Sequence, residues 1–233
     1  FILRHCLAWG NSERGFSSEG LRGSTLWDSG IIWSNRYGAY IDHRDFGEFT
    51  MRNSIIGSFG EDSYSYFIVR CSMTSDYNNI YLRDKAFAGA VISGGFFGGG
   101  TSRYATVAAW TEGQKQDSHT VSLDPRFVDP IGGDFHLRSA SGRYLPGFGW
   151  TNDPISESAY IIDCGNPKSV YTNEPVPNGG RINVDMYANT WEASKTPTNG
   201  WLVIISLNDG GSVWGANILL QWFAGWTATG HVL

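Results

Sequence analysis

Three short segments of this chain recur at a constant step of 24 residues: Leu7-Ala8-Trp9, Ile31-Ile32-Trp33 and Ile55-Ile56-Gly57. Asn11 and Asn35 keep that step, and Arg4 and Arg52 stand two steps apart. A repeat of this length is too small to bury an apolar face alone, so it is stable only when stacked on copies of itself as a solenoid. Residues 1–9, 25–33 and 49–57 are rich in β-branched and aromatic side chains and then break at Gly-Asn, Ser-Asn or Gly-Ser, the pattern of strands ending in turns. Second strands are expected in the same order at Gly15-Phe16, Tyr37-Gly38-Ala39-Tyr40-Ile41, Tyr64 to Val69 and, after a shorter coil marked by Arg70-Cys71-Ser72, Asn79-Ile80-Tyr81-Leu82.

No stretch of helical periodicity separates these strands, so parallel pairing has to arise between successive coils. A coil of this length holds three strands of four or five residues plus turns. Rungs about 4.8 Å apart place equivalent side chains in ladders. Leu7, Ile31 and Ile55 are expected to form one such ladder facing the interior, and Asn11 and Asn35 an amide ladder at a coil turn. Thr106 to Gln114, carrying Val107, Ala108, Ala109 and Trp110, is the one short helix expected, capping the far end of the column.

Composition narrows the partners. A net charge of −5 without any Lys/Arg run argues against a phosphate-binding surface, which needs a concentrated basic patch, so no nucleic acid is expected, while local cation clusters could still hold uronates. Aromatic content of 15% against only 17% charged residues suits a turn-rich β protein that presents flat rings to sugar faces. No apolar stretch approaches 18 residues, so no membrane insertion is expected. Cys6, Cys71 and Cys164 are odd in number and widely spaced, and are expected to be free thiols. Gly94 to Gly100 resembles a phosphate-cradling loop but lacks the following Lys-Ser/Thr, and is expected to be a tight turn around Phe96 and Phe97. His5, His119, His136 and His231 show no metal or triad spacing, so no metal centre is expected. Phe1 opens directly into a strand, as in a piece of a longer protein.

The stretch Ser122-Leu123-Asp124-Pro125-Arg126-Phe127-Val128-Asp129-Pro130, continued by Gly133 to Ser139, resembles a segment of bacterial secreted right-handed parallel β-helix proteins, the pectate-lyase-like superfold. Arg103 to Val107 with Trp110, Gln116 to Thr120, Ile162-Asp163-Cys164-Gly165-Asn166-Pro167 and Asn173-Glu174-Pro175 to Asn183 fit the same layout. Asp185 and Ala188 stand where that pattern favours glycine. The resemblance covers roughly residues 1–195 and implies the fold, with polysaccharide lyases, uronan epimerases and glycosidases among the activities of its members. Fold alone does not choose between them.

Chemistry is expected on a charged strip. Asp42-His43-Arg44-Asp45 follows one strand, Arg83-Asp84-Lys85 another, and Glu61 falls on the intervening coil. Stacking would place these groups within one or two rungs, roughly 5–10 Å. Asp42, His43, Asp45 and Asp84 are the candidate catalytic residues, and Tyr40, Arg44, Glu61, Arg83 and Lys85 the candidate sugar contacts. A lyase or epimerase needs a base, such as His43 or Lys85, with Arg44 or Arg83 on the uronate carboxylate. A glycosidase needs two opposed carboxylates. Tyr37-Gly38 with Asp42-His43 and Asp45 is similar to the Tyr-Gly…Asp-Pro-His-Asp pattern of alginate epimerases, with longer spacing and no proline. A solvated turn with surface ion pairs is the alternative. Asp124, Asp129 and Asp134 step by five, a spacing that admits calcium or, as Asp-Pro turns, no ion at all; no cofactor is expected. Trp9, Trp27, Trp33 and Tyr104 could stack on pyranose rings or pack among themselves.

The expectation is therefore an all-β, right-handed parallel β-helix: coils over 1–100, a helical or loop cap and extended segment over 101–196, and the start of a β-sandwich over 197–233, where Asn208-Asp209-Gly210-Gly211 separates two apolar runs. The expected role is a secreted or cell-surface protein that binds polysaccharide along a lateral groove and cleaves or epimerises it as a lyase or glycoside hydrolase. The alternative is a noncatalytic adhesin or structural module.

Overall fold

In the computed structural model, which describes residues 1–20, 23–42, 47–93, 99–198, 203–204 and 220–221, the repeat becomes a parallel β-solenoid of four coils with three walls. The first wall holds β1 (Ile2–Arg4), β4 (Ser24–Asp28), β7 (Glu48–Arg52) and β10 (Met73–Asp76). The second holds β2 (Leu7–Trp9), β5 (Ile31–Trp33), β8 (Ile55–Phe59) and β11 (Asn79–Arg83). The third holds β3 (Arg14–Glu19), β6 (Tyr37–Asp42), β9 (Tyr64–Val69) and β12 (Phe87–Ile92), closed by an antiparallel strand, β13 (Thr101–Tyr104).

Each coil turns from the first wall to the second through one residue in the left-handed region: His5, Ser29, Asn53 and Tyr77, with φ between 52° and 57°. Such a conformation costs a non-glycine residue roughly 1–2 kcal/mol. Rung-to-rung hydrogen bonds hold it, including His5 N–H to Ser29 O (2.8 Å) and Asn53 N–H to Tyr77 O (3.0 Å). Side chains join in: Asn78 Oδ1 accepts from the Ser54 N–H (3.0 Å), and Ser54 Oγ accepts from the Gly30 N–H (3.1 Å). The expected amide ladder forms at the next corner, where Asn35 Oδ1 accepts from both the Asn11 backbone N–H (2.9 Å) and Asn11 Nδ2 (3.0 Å).

Leu7, Ile31 and Ile55 pair in register, but they face away from the column's interior. The interior ladder is one residue further on, Ala8, Ile32, Ile56 and Ile80, packed with Phe49, Met51, Tyr66 and Trp110. Strand side chains alternate between faces, so a repeat gives the step of a ladder without its direction when both faces are apolar.

The outward ladder is buried by the chain's own second half. The helix α1 (Val107–Gln114) closes the column as expected: Thr106 caps it through Ala109 N–H, and Trp110 lies over Gly89, whose missing side chain leaves room for the indole. Beneath it, buried Asp117 accepts hydrogen bonds from Trp110 Nε1 (2.9 Å), Ser75 Oγ (2.8 Å) and Thr120 Oγ1 (2.6 Å). Val121 pairs with Asn79 as the beginning of a fifth rung, and the chain then leaves the column and runs back over the outside of the second wall.

This covering layer carries two hairpins, β14 (Phe127–Asp129) with β15 (Asp134–Leu137) and β16 (Arg143–Leu145) with β17 (Gly149–Thr151). Its Val121, Phe127, Phe135, Leu137, Ile161 and Val184 form a second core with Ile31 and Ile55. Asn53 ties the corner to it, donating to Ser169 Oγ (3.0 Å) and accepting from Asn166 N–H (2.7 Å).

Cys6, Cys71 and Cys164 are not joined in disulfides; the Cys71 thiol donates to Ile41 O (3.6 Å) and the Cys164 thiol to Tyr160 O (3.3 Å), and burial pushes Cys164 up to about 12. Among the described residues no helix is long and apolar enough to cross a membrane. Residues 94–98 of the turn expected over Gly94 to Gly100 lie outside the described residues, as does most of 197–233, where β18 (Val203–Ile204) pairs antiparallel with β19 (Leu220–Gln221).

Candidate functional site

The outward face of the second wall is covered along only part of its width. On the rest, the register brings Trp9, Trp33, Gly57 and Tyr81 onto four successive rungs. A Cβ at Gly57 would lie 2.1 Å from the Trp33 ring, so only glycine lets the indole lie flat across that rung. Trp33 therefore reaches Tyr81 two rungs away, with the rings stacked at 5.9 Å and 3°. Phe59 meets Trp33 edge-on at 4.9 Å, and Phe127 of the covering layer does the same from the other side at 4.9 Å. Trp9 is diverted onto Phe135 (5.5 Å). Trp33 packs against the layer and floors a cleft.

That cleft, about 610 Å³, lies between the second wall and the layer. Trp33, Phe59 and Tyr81 line it on the wall side, and Asp124 to Phe127, Pro130, Ile131, Arg138 and Glu157 on the layer side. Arg126 is held in place by donating from Nη1 to Ser156 O (2.7 Å) and Ser158 O (2.9 Å) while lying over the Tyr160 ring. Arg138 donates to Val128 O (2.9 Å) and pairs with Glu157 (3.1 Å). Burial pushes the Tyr81 phenol up, and the Asp124 carboxylate adds to this, while Arg83 at the rim opposes both. A flat aromatic floor with carboxylates and guanidinium groups on its rim can hold a pyranose chain by ring stacking and hydroxyl hydrogen bonds.

Among the described residues, the strip expected from the sequence is divided between two corners of the column. Asn79–Arg83 is a strand of the second wall, so the residues after it stand at the corner between the second and third walls. Asp42 ends a strand of the third wall, at the corner leading back to the first. The length of the six-residue strand β6, roughly 17–20 Å, separates the two corners. Asp42 is buried, and His43, Arg44 and Asp45 lie outside the described residues. Tyr40 sits mid-strand on the third wall under the Arg14 guanidinium (3.6 Å). Lys85 pairs with Glu61 one coil below, beside exposed Asp84. Of the described candidates only Arg83 lines the cleft.

Asp124, Asp129 and Asp134 each accept a nearby backbone N–H, from Arg126, Gly132 and His136 respectively, as turn-forming aspartates do. Among the described residues no three His, Cys, Asp or Glu side chains converge as a metal centre. The cleft residues that the sequence did not bring together are Phe59, Tyr81, Arg126, Arg138 and Glu157, with Asp124, which the sequence marks only for calcium or a turn. A signal for Tyr81 was present: it shares the step of Trp9 and Trp33, with glycine at the rung between. In comparisons with protein-family models, curated proteins and solved structures, nothing matched this chain.

Proposed function

We propose that this chain is a polysaccharide-binding parallel β-helix of the pectate-lyase-like kind, secreted or held at a bacterial cell surface, which holds its ligand in the Trp33–Tyr81 cleft. The observation that carries this reading is the pair of parallel rings, stacked across a glycine rung and open to a cleft rimmed by Arg83, Asp124 and Glu157. Stacked aromatics bind the apolar faces of sugars, and paired charges at the rim exchange water for hydroxyl groups at small cost.

Turnover by elimination or hydrolysis would draw on Asp124, Glu157 and Tyr81, the acid–base groups that share the cleft. A noncatalytic binding module is the second reading, favoured by the commitment of Arg126 and Arg138 to bonds within the layer. Affinity electrophoresis against uronate and neutral polysaccharides tests binding, with Tyr81→Ala and Arg83→Ala as probes. Retention weakened about tenfold by either substitution is expected, a change of about 1.4 kcal/mol. No retention on any glycan, or retention untouched by both variants, overturns the proposal. Absorbance near 235 nm and reducing-end release then separate lyase, hydrolase and binding module.

A further inference from the structure

On the β16–β17 hairpin, away from the cleft, lies a second aromatic surface. Tyr144 and Trp150 are cross-strand partners, so both side chains leave the same face of the hairpin. Tyr144 meets Trp150 at 6.0 Å and 72°, and Trp191 at 4.6 Å and 74°, so one half-buried phenol props up two indoles. Trp191 is 59% exposed, Trp150 40%, and Phe148 at the hairpin tip 87%. Large rings left this open are uncommon unless they meet a partner. Gly147 and Gly149, both at positive φ, make the tight loop that carries Phe148 outward.

One cation accompanies the rings. Lys195 places its ammonium 4.2 Å from the Trp150 ring centroid, fixed there by its backbone N–H to Gly142 O (2.8 Å). Among the described residues no carboxylate lies within ion-pairing reach of it. The positive charge is thus available, while its alkyl stem packs near Gly142.

We infer that Tyr144, Phe148, Trp150, Trp191 and Lys195 form a second binding site, for a uronate-bearing polysaccharide. The rings suit the C–H faces of pyranoses, and the Lys195 ammonium, without a carboxylate partner among the described residues, suits a uronate carboxylate, a charge complementarity that a neutral glycan would not use. Arg143, which precedes Tyr144 on β16, points to the other face of the hairpin and bonds Asp153 (2.9 Å), which also faces the cleft-lining Arg138 (3.8 Å); none of the five residues lines the cleft, so this site is separate from it. An enzyme or adhesin with two such sites would hold one long acidic chain, or two, through avidity.

The test uses the full chain carrying Tyr81→Ala and Arg83→Ala, with polygalacturonate and a neutral β-glucan as probes in affinity electrophoresis at low and high salt. Residual retention on polygalacturonate is expected, weaker at high salt, and reduced about tenfold by adding Trp191→Ala. Lys195→Gln is expected to remove the salt dependence while keeping part of the retention. Both side chains are on the surface, and circular dichroism checks the fold of each variant. Absence of residual retention, equal retention on the neutral glucan, or indifference to both added substitutions overturns the site. Should the cleft substitutions change nothing in the otherwise unmodified chain, the cleft proposal fails, and Trp191→Ala still decides this one.

Discussion

Replacing Ile55 by alanine asks whether the covering layer is packed on the second wall. Ile55 is fully buried although it points out of the column, and its neighbours there include Phe127, Phe135 and Leu137 from the layer. Removing three buried carbons loses about 2.4 kcal/mol of transfer free energy, at about 0.8 kcal/mol each. A residual cavity adds to that, so a total of about 3–4 kcal/mol is expected, within the range for such truncations. Ile56→Ala, one residue on and facing the interior, should cost about the same, because both side chains are equally buried. Ile2→Ala, at a site 62% exposed, reports the loss of β propensity alone, about 1 kcal/mol or less. Urea unfolding followed by far-ultraviolet circular dichroism gives all three. A cost for Ile55→Ala no larger than that for Ile2→Ala would mean that the outward face is open to water, and the cleft between wall and layer would go with it.

Gly57→Ala puts a methyl group into the Trp33 ring, so Trp33 must leave its stack on Tyr81; glycan retention should fall by about tenfold or more while unfolding costs about 1–3 kcal/mol, and full retention would show that the stack is not the binding floor. Asn53→Ala strips partners from buried Asp28 Oδ1 (2.8 Å) and from the Asn166 N–H, and should destabilise by about 2–4 kcal/mol in the same urea assay. Asp163, Glu174 and Asp185 are buried with one carboxylate oxygen each lacking a hydrogen-bond partner among the described residues, and burial pushes them up to about 7, 8 and 7. Each folded-state value exceeds the unfolded one, so the native state keeps protons that the unfolded chain releases. Their contribution is full below about pH 4 and is lost as pH rises through 7–8. Asp28 works in the opposite sense: burial raises it, but the bonds from Arg52 and Asn53 outweigh this and leave it lowered, so its contribution is lost in acid. Thermal melting temperature should therefore fall between about pH 4 and pH 8, and Asp185→Asn should flatten that slope; an unchanged slope would refute the assignment.

The 24-residue step, legible in the sequence, determined the coil, its rung spacing and the pairing of Leu7 with Ile31 and Ile55. It also determined the amide ladder of Asn11 and Asn35, while local composition marked the capping helix around Trp110, because periodicity and capping are properties of regularly spaced or neighbouring residues. Which face those isoleucines occupy was decided by residues 121–198, far along the chain, whose apolar side chains supply the second core. The site followed the same division. Asn79–Arg83 and Tyr37–Asp42 are alike in local composition, and only the 24-residue step from Ile55 to Asn79 assigns the first to the second wall. Charges that follow similar strands in sequence thus fell at different corners, whereas Trp33, Tyr81 and Glu157 met because a rung register and a folded-back layer brought them together. Stacking depends on repetition and is written in the chain; a cleft between wall and layer depends on long-range burial, and only the folded molecule contains it.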